Sequence, residues 1–188
     1  MDSSKLISTA KTTALITFIG GTIFLLFFYL TNDAGLGIVG LLYAVITAIV
    51  NLVVLVKLLL QSHKDNVKRR FVLKATGIML LNIPVLILYC WLGITLLNTV
   101  RITFINSTGT EINDLKVDGC DEKYIQQLSS GESKTVWISI PHDCGVGITY
   151  KLNGQPKQED VTGYVTNEGG YIMTFKIGAN QKPYDHDL

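Results

Sequence analysis

Hydrophobic and polar positions divide this chain into two halves with different periods. In the first half, Thr13–Leu30, Gly35–Val56 and Ala75–Leu97 contain no charged side chain. At about 1.5 Å rise per residue, each stretch is long enough as a helix to cross a hydrocarbon core of about 30 Å. In the second half the pattern alternates every two residues. It predicts strands at Val100–Asn106, Ile112–Val117, Lys123–Leu128, Thr135–Ile140, Val146–Leu152, Val161–Val165 and Tyr171–Ile177. Turn chemistry separates them at Ser107-Thr108-Gly109, Asp118-Gly119, Ser130-Gly131, Asn153-Gly154 and Glu168-Gly169-Gly170.

The expected architecture is an α-helical membrane anchor of three transmembrane helices followed by an all-β domain. That domain is expected to be a small antiparallel β-sandwich of Ig-like size, with a partly open barrel as the other arrangement. The predicted boundaries are a cytoplasmic N-terminus at 1–12, a transmembrane domain at 13–98 with a basic loop at 61–70, the β domain at 99–180 and a tail at 181–188. No small-x-small cleavage site follows Leu30 in Thr31-Asn32-Asp33-Ala34, so the first stretch reads as an uncleaved signal anchor.

Composition agrees with this division. The chain has 188 residues, 48% of them hydrophobic, and a mean hydropathy of +0.35, high for a soluble domain. Its net charge of +1 hides an asymmetry: residues 1–98 hold 8 Lys/Arg against 3 acids, and residues 99–188 hold 8 against 12. The acidic second half argues against nucleic-acid binding, which requires cations to neutralise phosphates.

Cations also predict orientation. Lys5 and Lys11 precede the first span, Thr31–Ala34 has no cation, and the second connection carries Lys64, Lys68, Arg69 and Arg70 with Lys57 and Lys74 on its shoulders. Positive loops stay in the cytoplasm. The N-terminus and basic loop are therefore expected inside the inner (plasma) membrane, and the β domain outside, in the periplasm of a bacterial cell. Lys64, Lys68, Arg69 and Arg70 are expected to act as topology determinants, which alone explains them; attraction to anionic lipid headgroups is the other reading.

Within the spans, Gly40, Ala44 and Ala48 recur at four-residue spacing and make a small-residue face for helix packing. Asn51 is a polar amide inside an apolar span and needs a partner, for which Asn82 is the candidate. Pro84 is expected to kink the third helix. The small face suits packing within the three-helix unit, a partner membrane protein or a homo-oligomer. The spans lack Asp, Glu, Arg and His, which argues against a stand-alone pump, carrier or voltage sensor.

Cys90 falls in the third span as an apolar filler. Cys120 and Cys144 fall in the β domain, where an extracytoplasmic location permits a disulfide, and a Cys120–Cys144 bond is expected. Their neighbours Asp121, His142 and Asp143 match no standard zinc spacing. Neither a cofactor motif nor a catalytic constellation such as G-x-S-x-G or H-E-x-x-H is present. Asn106-Ser107-Thr108 is a glycosylation sequon, relevant in a eukaryotic host. Val136, Ile138 and Ile140 make the better core face of their strand, which turns Trp137 outward as a candidate partner contact. Resting on the membrane interface or packing under a loop are the other uses of such a Trp.

The functional expectation is a non-enzymatic membrane protein whose outside domain binds a protein partner, as an accessory subunit of a larger membrane complex. The alternative is an immunity or inhibitor protein that neutralises a membrane-acting or periplasmic toxin.

Overall fold

The computed structural model describes residues 3–64, 69–179 and Pro183. The chain divides into two compact units, Met1–Gly93 and Ile94–Leu188, and the division falls inside the third helix.

The first unit is built from three long apolar helices: α1 (Ser3–Thr31), α2 (Ala34–Lys64) and α3 (Arg69–Leu97). All three are long and apolar enough to cross a membrane. Asp33 Oδ1 accepts the Leu36 amide at 2.9 Å and so caps the start of α2. α3 continues through Pro84 without interruption.

Each helix is longer than its charge-free stretch. α1 starts at Ser3 rather than Thr13, α2 continues to Lys64 rather than Val56, and α3 starts at Arg69 rather than Ala75. Residue 12 lies inside α1. The added turns belong to one end of the bundle. Leu6, Ala10, Leu58, Val72 and Ala75 share a buried cluster there, and Gln61 Nε2 donates to Ser3 Oγ at 2.9 Å.

The second unit contains two sheets. A three-stranded sheet has the order β4-β1-β7, from β1 (Thr99–Asn106), β4 (Ser133–Ser139) and β7 (Tyr171–Ile177). A four-stranded sheet has the order β3-β2-β5-β6, from β2 (Ile112–Asp118), β3 (Lys123–Leu128), β5 (Cys144–Leu152) and β6 (Gln155–Val165). Both sheets contribute to one buried cluster. It includes Val100, Ile102, Phe104, Ile138, Met173 and Phe175 from the first sheet, and Ile112, Leu115, Ile125, Ile148 and Val161 from the second.

Two strand expectations are corrected. β1 pairs with β7 in parallel, so the three-stranded sheet is mixed rather than antiparallel. Period-two alternation reports which face of a strand is buried, not the direction of its neighbour, so the sequence held no signal for this. β6 begins at Gln155, six residues before the predicted start at Val161. Apart from Pro156, Gln155–Asp160 are polar, and they lack an apolar face. They are held by backbone pairing with β5 across a two-residue turn, Asn153-Gly154, in which both residues have positive φ (51° and 77°).

Candidate functional site

The three-stranded sheet buries Val100, Ile102 and Phe104 of β1, so the alternate residues Arg101, Thr103 and Ile105 fall on its outer face. In register beside Arg101 stand Trp137 of β4 and Ile172 of β7. Thr135 and Thr174 flank Thr103 in the next row, where the Thr103 and Thr135 hydroxyls are 2.8 Å apart. Trp137 is 42% exposed and Ile172 46%, whereas Arg101 between them is only 7% exposed. The Arg101 guanidinium lies 5.3 Å from the centroid of the Trp137 ring. A cation at that distance is attracted by the ring quadrupole and holds the indole plane in place, a contact worth about 0.5–2 kcal/mol. The result is an exposed Trp–Ile pair mounted on a buried arginine, on an outer face otherwise made largely of small polar residues.

The four-stranded sheet has a different surface, where three lysines pair with carboxylates. Lys116 Nζ pairs with Asp118 at 2.7 Å and Glu122 at 3.2 Å, Lys123 with Asp121 at 2.7 Å, and Lys151 with Asp114 at 2.8 Å. Asp114 also accepts the Tyr124 hydroxyl. The Lys151 ammonium and then the Tyr124 hydroxyl hold the Asp114 carboxyl below the usual carboxylate range, and Asp114 raises Tyr124 in turn.

Cys120 and Cys144 form a disulfide with Cα atoms 5.4 Å apart, joining the turn after β2 to the first residue of β5. The neighbouring backbones are close enough to require glycine. Gly119 has φ of 122°, and a Cβ there would overlap the Gly145 carbonyl oxygen. With both sulfurs bonded to each other, neither is a thiolate for metal binding or nucleophilic attack. Among the described residues, no three His, Cys, Asp or Glu side chains converge.

The Asn106 sequon does not present an acceptor amide. Asn106 is 1% exposed; its Nδ2 donates to the Thr110 and Leu128 carbonyls at 2.7 and 2.9 Å, and its Oδ1 accepts from the Thr108 amide and hydroxyl. It fastens the end of β1 to the β3 strand and the 107–111 loop.

In the helical unit, Asn82 Nδ2 donates to Asn51 Oδ1 at 3.2 Å, to Thr17 Oγ1 at 2.8 Å and, more weakly, to the Ala14 carbonyl at 3.3 Å. Asn51 Nδ2 donates to the Thr47 carbonyl at 2.7 Å. A Cβ added at Gly40 would meet the Phe24 side chain of α1 at 3.9 Å, ordinary van der Waals contact, and Ala44 and Ala48 are half-buried on the same face. At Gly40 the small-residue face is thus occupied within the bundle. Cys90 is exposed on α3 rather than packed as a filler. Arg69 and Arg70 open α3 and are exposed; Lys64 closes α2, and Lys68 lies outside the described residues, as does most of the 181–188 tail.

Sequence reasoning passed over several residues. Arg101 and Ile172 become notable only once register places them beside Trp137. Gly20 and Gly21 of α1 seat two tyrosines: Tyr43 of α2, whose hydroxyl bonds the Ile16 carbonyl at 3.2 Å, and Tyr89 of α3, whose hydroxyl meets Thr22 Oγ1 at 2.5 Å. The adjacent glycines were the available signal, since small pairs mark close helix approach.

No protein-family model matches this chain, and no curated protein matches it. A solved structure, the NMR structure of a protein from Eubacterium rectale, is similar at 18% identity and a TM-score of 0.35, with 44% of this chain and 82% of that one covered. A likeness that slight says nothing about function.

Proposed function

We propose that this chain is a non-enzymatic integral protein of the inner (plasma) membrane whose C-terminal β-sandwich lies outside the cytoplasm and binds a protein partner, as an accessory subunit of a larger membrane complex. The helical unit supports insertion because it is built inside out. Its large apolar side chains, among them Ile16, Leu41, Ile46, Leu81 and Ile87, face outward, while Thr17, Asn51 and Asn82 bond to one another inside. In water that surface would be costly; in lipid it is the expected arrangement. The positive-inside bias supports the orientation. Two sheets with a common buried cluster support the sandwich reading.

The observation that carries the partner reading is the Trp137–Arg101–Ile172 row. Trp and Arg are the residue types that dominate binding energy at protein interfaces. Here they stand preorganised on the central and edge strands of a sheet, while Lys116, Lys123 and Lys151 of the other sheet are paired with carboxylates within the domain.

Gentle-detergent extraction from native membranes, followed by pull-down and identification of bound proteins, tests this reading. The expected result is stable recovery of a defined set of membrane proteins from wild type. Trp137→Ala should reduce their recovery by roughly an order of magnitude, the loss typical of a central aromatic anchor. Absence of any constitutive partner, with toxicity of a neighbouring gene product on deletion, would point to the immunity role instead.

A further inference from the structure

The end of the bundle where the three helices outrun their charge-free stretches carries Lys5, Lys11, Lys57, Arg69, Arg70 and Lys74. None of the six pairs with a carboxylate among the described residues. α1, at 29 residues, is about 43 Å long, some 13 Å more than the hydrocarbon core, so its first turns lie at headgroup level once Thr13–Leu30 fills the core.

Those turns present an open surface lined by Lys5, Ser8, Thr9, Thr12 and Thr13. Lys5, Ser8, Thr9 and Thr12 are exposed, and their three- and four-residue spacing stacks them on one side of the helix. The same side continues toward the membrane centre with Ile16, Ile19 and Ile23, all exposed. A single outward line of α1 therefore runs from an ammonium, through a ladder of hydroxyl donors, to a branched apolar track. That sequence of chemistries matches a glycerophospholipid read from phosphate to acyl chain.

We propose that this line of α1 is a seat for one anionic phospholipid of the cytoplasmic leaflet. The phosphodiester lies against Lys5 and the Ser8, Thr9 and Thr12 hydroxyls, and an acyl chain lies along Ile16, Ile19 and Ile23. The occupant is anionic because cations outnumber acids in the sequence at the same bundle end, and anionic headgroups concentrate where Lys and Arg gather. Hydroxyls supply donors to phosphate oxygens at fixed positions, which a diffuse cation cloud does not. This seat rests on the membrane-inserted reading of the helical unit and adds a specific ligand to it.

The test uses the full chain in nanodiscs of phosphatidylcholine containing a minor fraction of phosphatidylglycerol, with co-released lipid counted by native mass spectrometry. Wild type should retain phosphatidylglycerol in preference to phosphatidylcholine. The triple change Lys5→Gln, Thr9→Val and Thr12→Val should lower that preference by about tenfold, corresponding to one cation at about 1 kcal/mol plus the lost donors. Lys5→Arg with both threonines kept should preserve it, and unchanged helicity by circular dichroism excludes misfolding. Inorganic phosphate at millimolar concentration should not displace the lipid. Equal retention of the two lipids, a triple variant indistinguishable from wild type, or displacement by free phosphate would each overturn the proposal. Nanodiscs offer both leaflets, so this outcome is independent of whether the N-terminus is cytoplasmic.

Discussion

Asn82 and Asn51 meet at 3.2 Å, amide nitrogen to amide oxygen, and tie α3 to α2 inside an otherwise apolar bundle. Thr17 of α1 accepts a second hydrogen bond from the same Asn82 nitrogen, so one side chain connects all three helices. Side-chain hydrogen bonds within membranes contribute about 0.6 kcal/mol on average and up to about 1.7 kcal/mol. Asn82→Leu removes several such bonds and leaves the Asn51 oxygen without its α3 donor. It is expected to destabilise the bundle by about 1–2 kcal/mol, read from denaturant unfolding in detergent. Asn51→Leu, which keeps the Asn82–Thr17 bond, should cost less.

A second prediction concerns the tyrosine seats. A Cβ at Gly20 would overlap the Tyr43 hydroxyl. Gly20→Ala should displace Tyr43 and break its bond to the Ile16 carbonyl. Tyr43→Phe in the Gly20→Ala background should recover part of the loss, a positive coupling of about 0.5–1 kcal/mol in a double-mutant cycle.

The Cys120–Cys144 bond closes a loop between residues separated by 24 positions. Cys120→Ser paired with Cys144→Ser is expected to destabilise the β domain by about 3 kcal/mol. Hydrogen exchange on the full chain reads this as faster exchange in β2 and β5, with the helices unaffected.

Asp114 supplies a pH dependence. Its pKa is held below the ordinary value in the fold, so its stabilising contribution is complete at neutral pH. That contribution is lost as pH falls below the ordinary Asp value of about 3.9 and through the lower folded one. Asp114 has φ of 53°, a conformation that Asn accepts, so Asp114→Asn tests the charge with little backbone change. The variant should melt at a lower temperature than wild type at pH 7, and the two melting curves should converge at acid pH.

The amphipathic logic of both units was legible in the sequence. Charge-free stretches located three helices, and alternation of Val136, Ile138 and Ile140 placed Trp137 on the outer face, because both signals are local and periodic. Asn51 and Asn82 could be matched because a polar amide has few partners in an apolar span. The helical extensions were not legible, since Lys5–Thr12 and Arg69–Lys74 are polar enough to resemble loops. Their order comes from Leu6, Ala10, Leu58, Val72 and Ala75 packing across elements distant in sequence. The parallel β1–β7 pair and the Arg101–Trp137 contact depend on long-range register, which no local period encodes.

The proposed topology puts the N-terminus inside the cytoplasm and the β domain outside it. Single cysteines at two exposed positions, Ser4→Cys in α1 and Ser130→Cys in the β3–β4 turn, test it directly in a Cys90→Ala background that keeps the Cys120–Cys144 bond. Intact cells, with any outer membrane permeabilised, are treated with a membrane-impermeant maleimide before and after lysis. The account predicts that the position-130 cysteine is labelled in intact cells and the position-4 cysteine only after lysis. Labelling of the position-4 cysteine in intact cells, with the position-130 cysteine protected until lysis, would contradict it.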